Sequence, residues 1–222
     1  MLKVRYFRIQ LPSNIEGFLN AVTMVKDSPE NSTIKIRHFS TNNVVFSYAL
    51  SRLISIKKIL EDGSEVSEAI PTIDVYALRI FQTGNRQYLS IIDPPRGARL
   101  LIGLLDRIIG DGQYFLEPLE LTADLIAQHV KKFDSARLVS AKVRDFEVYE
   151  GAVGRLEITS QSGLIPTIAP FLENKFHRIE SLTYEVSQRL TQGLVYYYRN
   201  GTLKVSGPLV ERAFPSFESC FD

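Results

Sequence analysis

Hydrophobic and polar residues alternate with period two over residues 2–10, placing Leu2, Val4 and Tyr6 on one face and Lys3, Arg5 and Phe7 on the other. That alternation predicts a strand. After Pro12-Ser13-Asn14, which suits a turn and a helix cap, Ile15, Phe18, Leu19, Val22 and Val25 recur at helical spacing until Asp27-Ser28-Pro29. Period two returns over 33–39, with Ile34 and Ile36 opposite Lys35 and Arg37. The run VVFSYALSRLISIKKIL is read as a short strand at 44–48 and a helix from about residue 50 to 61. EDGSEVSEAIPT follows as a polar loop, and a hairpin at 75–82 and 87–92 turns at Thr83-Gly84-Asn85-Arg86. The resulting order, β-α-β-β-α-β, is the ferredoxin-like one, which places both helices on one face of a sheet.

The most apolar helical stretch is 96–109. At about 100° per residue, Arg99, Gly103, Asp106, Arg107 and Gly110 fall on one narrow stripe. Leu100, Leu101, Ile102, Leu104, Leu105, Ile108 and Ile109 cover the rest, so this helix is expected to be enclosed by protein. Asp93 is expected to cap its start and Gly110-Asp111-Gly112 to stop it. With the hairpin before it and a strand at 114–121, it makes a ββαβ unit. A helix from Thr122 to Phe133 leads to a second such unit: strands at 136–149 and 153–160, a helix at 164–174 and a strand at 177–187. The expectation is an α+β fold, with a ferredoxin-like N-terminal part at 1–74. A ββαβ-based C-terminal part at 75–222 is packed with it around the buried central helix.

Near the C-terminus, Asn200-Gly201 predicts a two-residue hairpin turn, with 198 opposite 203 and 197 opposite 204. That register sends Leu194, Tyr196, Tyr198, Leu203 and Val205 to the core. Val195, Tyr197, Arg199, Thr202, Lys204 and Ser206 take the other face. Phe214, Phe217 and Phe221 put three rings in the tail, which must dock on the body or on a partner.

Composition narrows the chemistry. A net charge of +1 supplies no global field, so a surface for a polyanion has to be a local patch. The single cysteine, Cys220, excludes an internal disulfide framework. No apolar run approaches the ~20 residues that cross a bilayer, and the charged opening MLKVRYFRIQ does not resemble a signal peptide. A cytoplasmic protein without a membrane partner is expected.

Motifs for catalysis are few. His38, His129 and His177 stand far apart, without CxxC or HExxH companions, and neither GxxxxGK[ST] nor GxGxxG occurs. Ser162 reads as a helix start rather than a nucleophile on an elbow. A metal-dependent nuclease would have to draw on Asp93, Glu117, Glu120 and Glu173-Asn174-Lys175. No enzyme and no cofactor are expected.

One pattern recurs: basic residues interleaved with aromatics along strand faces. It occurs at Lys3, Arg5 and Phe7; at Lys35, Arg37 and Phe39; at Lys142, Arg144 and Phe146; and at Tyr197, Arg199 and Lys204. Cations for phosphates and rings for bases suit single-stranded DNA or RNA. Solvated strand faces, which Lys and Arg protect from edge pairing, account for the same residues. The leading expectation is a non-catalytic nucleic-acid-binding subunit of a larger assembly. One alternative is a protein-interaction or homo-oligomerisation module using Phe214, Phe217 and Phe221. A cryptic nuclease using Asp93 and Glu117 is the other.

Overall fold

A computed structural model describes residues 1–25, 32–95, 97–160, 162–164 and 177–221, with the backbone alone at 146–148. Eleven strands and four short helices are present among these residues, so antiparallel strand dominates. The chain divides into two compact units. One is Met1–Arg8 with Glu117–Asp222, and the other, Ile9–Leu116, is inserted into it in sequence. The boundary expected at 74/75 falls inside a strand of the inserted unit.

The inserted unit begins with α1 (Ile15–Val25), whose Asn14 side chain accepts from the Gly17 amide at 2.9 Å. Ile15, Phe18 and Val22 form its buried face, and Phe18 meets Phe46 at 5.8 Å between ring centroids. A four-strand meander follows in the order β2 (Ser32–Ser40), β3 (Asn43–Ile59), β4 (Glu65–Thr83) and β5 (Arg86–Ile92). This overturns the ferredoxin-like, α+β expectation. Of residues 50–61, expected as the second helix, 50–59 continue β3, and most of the expected polar loop is the first half of β4. Leu50, Leu53 and Ile54 fit a helical stripe on paper. The ladder wins because residues 52–58 carry β-branched Ile54 and Ile56, and their basic neighbours find acids diagonally across. Arg52 pairs with Asp74 at 2.8 Å, Lys57 with Glu65 at 3.1 Å, and Lys58 with Glu68.

The expected central helix is also corrected. α2 spans Arg99–Ile109, buries Leu101, Leu104, Leu105 and Ile108, and leaves Ile102 44% exposed. It is a one-sided helix packed beside α1, not an enclosed one. Asp93 is exposed and takes a positive φ of 45°, while Ala98 occupies the cap position without a side-chain bond.

The other unit has the strand order β1 (Leu2–Gln10), β11 (Thr202–Val205), β10 (Thr191–Tyr198), β9 (Arg178–Gln188), β7 (Ser135–Tyr149) and β8 (Ala152–Thr159). The short β6 (Phe115–Pro118) leads into it. α3 (Ala123–Val130) starts on Thr122, whose hydroxyl accepts from the Leu125 amide at 3.3 Å. After a single turn of tight helix at Gly207–Leu209, α4 (Val210–Glu218) carries Phe214 and Phe217, and Phe221 follows it. Tyr6, His129, Phe133, Tyr197, Phe217 and Phe221 form one aromatic cluster, with centroids 5.0 to 6.4 Å apart. The helix expected at 164–174 lies outside the described residues, apart from Leu164, as do Glu173-Asn174-Lys175, Asp27-Ser28-Pro29 and Arg96. Among the described residues no helix is long and apolar enough to cross a membrane.

Candidate functional site

The C-terminal hairpin decides which side chains reach the open face of this unit. Tyr198 lies opposite Thr202 and Tyr197 opposite Leu203, one residue out of the expected register. The loop holds three residues, Arg199-Asn200-Gly201. Gly201 sits at φ +82° and its amide donates to the Tyr198 carbonyl at 3.1 Å. A three-residue turn closing on a left-handed glycine satisfies the same Asn-Gly signal as the two-residue turn. The consequence is large, because a slip of one residue exchanges the faces of a strand. Val195 and Tyr197 are buried with Leu203 and Val205, whereas Tyr196 and Tyr198 take the opposite face.

Reading across the ladders, one row on that face runs Lys3, Lys204, Tyr196, Thr183, and the next runs Arg5, Thr202, Tyr198, Ser181, Lys142. Lys3 lies directly opposite Lys204. The Lys204 ammonium is 5.2 Å from the Tyr196 ring centroid, and the Arg5 guanidinium is 5.0 Å from that of Phe7. Arg5 also donates to the Asn200 carbonyl at 3.3 Å. Partial burial draws its guanidinium below the ordinary value. Among the described residues, none of Lys3, Arg5 and Lys204 forms an ion pair with a carboxylate. By contrast Lys142 is held by Glu157 at 2.7 Å.

At the loop end of these strands a cleft of about 570 Å³ is lined by Glu117, Glu120, Glu180, Arg144, Arg199, Tyr198, Asn200 and Pro118. Each of its carboxylates has an arginine: Glu117 has Arg8 at 3.5 Å, Glu120 has Arg199 at 2.6 Å, and Glu180 has Arg155 at 3.2 Å. Arg144 is exposed and has no ion-pair partner among the described residues. Tyr198 belongs both to the cleft and to the tyrosine face and so joins them into one strip from Lys3 to Arg144, in which Thr202 and Ser181 are buried and the cleft sets Glu117, Glu120 and Glu180 among the cations.

The expected site residues therefore separate. Lys3, Arg5 and Lys204 come together; Arg144 and Arg199 meet in the cleft; Lys142 shares the face at β7. Phe7 is buried, and Tyr197 is 1% exposed in the aromatic core. Lys35 and Arg37 are exposed on β2 of the inserted unit, with Arg37 donating to the Ser47 hydroxyl at 3.3 Å. The Phe146 side chain lies outside the described residues. Phe214, Phe217 and Phe221 are buried within their own unit, Phe217 completely, so their rings face the core rather than solvent. Tyr196 and Tyr198, assigned to the core by the two-residue register, are the rings that accompany the cations.

The core of this unit holds one buried titratable pair. Tyr197 Oη lies 2.7 Å from His129 Nδ1. Burial pushes the Tyr197 hydroxyl far up, and it pushes His129 down to about 3, with Lys132 adding to the effect. Both groups are neutral around neutral pH. In the inserted unit, burial and the Asp106 carboxylate, 2.8 Å away, raise Tyr114. Among the described residues no group of three or more His, Cys, Asp and Glu is placed to hold a metal ion. No protein-family model matches the chain, and no curated protein matches its sequence.

Proposed function

We propose that this protein is a non-catalytic binding subunit that takes single-stranded DNA or RNA along the strip from Lys3 to Arg144. The observation that carries this reading is the group Lys3, Arg5 and Lys204, three cations on two adjacent strands without a carboxylate partner. Like charges directly opposite each other in a ladder are destabilising. A phosphate backbone would turn that repulsion into attraction and release counterions. Tyr196 and Tyr198, half-buried two residues apart on the neighbouring strand, offer ring faces to bases about 6.6 Å apart along it.

Anisotropy titrations of labelled single-stranded oligonucleotides across a salt series test this reading. Lys3→Glu combined with Lys204→Glu is expected to weaken binding about 100-fold. It should also flatten the logarithmic salt dependence by roughly 0.7 per lost phosphate contact. Tyr198→Ala should cost on the order of 1–3 kcal/mol at any salt concentration, since stacking is not ionic. Unchanged affinity in the charge-reversed protein ends this reading.

A further inference from the structure

β3 pairs with β4 over its whole length, from Asn43 opposite Phe81 to Ile59 opposite Glu65. Their flanking strands stop much earlier. β2 accompanies β3 only as far as Leu50, and β5 accompanies β4 only from Ala77 onward. Residues 51–59 and 65–76 are thus a two-stranded ribbon with no described strand on either outer edge. Such a ribbon alone in water is marginally stable. This one also leaves Leu53, Ile59, Ile73 and Val75 between 62% and 75% exposed.

The turn fixes which backbone groups point outward. The Leu60 amide donates to the Ser64 carbonyl at 2.9 Å, so Leu60 and Ser64 are a hydrogen-bonded pair. Such pairs alternate with non-bonded ones in an antiparallel ladder. Counting back from the turn, Ser51, Leu53, Ser55, Lys57 and Ile59 direct their amides and carbonyls away from β4. On β4 the same count gives Glu65, Ser67, Ala69, Pro71, Ile73 and Val75. Pro71 fits this count, because it lacks the donor that an inward position would require. The β3 edge is an uninterrupted template for one more strand.

Charge says which strand. In the ribbon, β3 carries Arg52, Lys57 and Lys58 and no acid, while β4 carries Glu65, Glu68 and Asp74 and no base. Two β3 edges meeting antiparallel about Ser55 would set Arg52 against Lys58, and two β4 edges would set acid against acid. The β3 edge of one copy against the β4 edge of the next joins opposite signs instead. It also matches two strands of similar length running antiparallel.

We propose that this ribbon is an assembly arm through which copies of this chain add edge to edge, β3 of one to β4 of the next. The contact is heterologous: every copy keeps one edge of each kind, so the assembly closes into a ring or grows as a filament. The three intramolecular ion pairs along the ribbon are solvent-exposed, and such pairs are individually weak. They can therefore be shared across the new edge at little cost.

Sedimentation of the full chain over about a hundredfold concentration range should show species larger than a dimer. Pro71 already leaves the β4 edge one donor short. Ser55→Pro removes a second donor from the same seam while leaving the β3–β4 ladder whole, and should shift assembly to higher concentration with unchanged melting. Arg52→Glu/Lys57→Glu/Lys58→Glu makes both edges acidic, and Glu65→Lys/Glu68→Lys/Asp74→Lys makes both basic. Each variant should stay monomeric alone, and a mixture of the two should assemble again. Circular dichroism of each variant checks that it is folded before it is scored. A wild-type chain that stays monomeric throughout overturns the proposal, including one that sediments only with lipid vesicles. Charge-reversed variants that each assemble alone overturn it as well.

Discussion

Replacing Gly201 by alanine should lower stability by at least ~3 kcal/mol, a large fraction of what a domain of this size possesses. Two costs add. The residue sits at φ +82°, where an L side chain is strained by about 1 kcal/mol or more. A Cβ there would also lie 2.5 Å from the Tyr6 carbonyl oxygen and 2.6 Å from that of Leu119. Both obstacles are backbone, so no rotamer change relieves them. They are moreover tied together: the Tyr6 amide donates to Gly201 at 2.8 Å, and the Leu119 amide donates to Tyr6 at 3.0 Å. Making room for one methyl group therefore means parting the loop from β1 and loosening the bond that holds Leu119. For a chain of this length, a loss of ~3 kcal/mol corresponds to a fall in Tm of roughly 6–12 °C. Asn200→Ala, at an exposed neighbour in the same turn, should shift Tm by only a degree or two. A Gly201→Ala protein melting within that small range would mean the close approach is absent in solution. The experiment also bears on the cationic strip, because Arg5 donates to the Asn200 carbonyl and lies on the strand this glycine touches.

Gly201 also shows how a correct local signal gave a wrong face. The Asn-Gly pair placed the turn where it is, but a three-residue loop ending on a left-handed glycine meets the same requirement as a two-residue one. Nothing within the turn distinguishes them. The apolar pattern around it does not either, since tyrosines occupy residues 196, 197 and 198 and serve equally as core or surface. What settles the register is long-range: Tyr197 reaches His129 and Phe217, brought in by α3 and α4. Where alternation is sharp, the sequence was informative. Leu2–Gln10, Ile15–Val25 and the hairpin joining β4 to β5 lie close to where their periodicity puts them. The stretch from Ser51 onward was not legible for a physical reason. A ribbon with both faces in water needs no apolar alternation, so residues 50–61 carry a pattern that fits a helix as well as a strand. Their true partners are the acidic residues of a segment that, read alone, has the composition of a loop. Three rings in a short tail require cover, and the cover is their own unit.

The His129 site should make folding stability fall steeply as the solution is acidified from neutrality. His129 is fully enclosed, with Phe133 and Phe217 at 5.0 and 5.1 Å between ring centroids and the Tyr197 hydroxyl on Nδ1. Burial first, and the Lys132 charge second, hold its folded pKa at about 3, against an ordinary value of 6.5. The folded value is the lower one, so the unfolded chain binds the proton that the folded chain refuses. Stability from this site is therefore complete above about pH 6.5 and is lost progressively as pH falls toward 3. Within that window the slope is about 1.4 kcal/mol per pH unit, so going from pH 7 to pH 5 should cost ~2 kcal/mol. Removing the histidine alone would confuse the result, because the Tyr197 hydroxyl would be left buried without a partner. The informative protein is His129→Leu with Tyr197→Phe, which removes both polar groups together. Urea midpoints of both proteins at pH 7, 6 and 5 should show the wild type losing ~2 kcal/mol more than the double variant. Parallel pH dependence in the two proteins would show that His129 takes up its proton without unfolding. The aromatic cluster would then be more open to water than the enclosure of its ring implies.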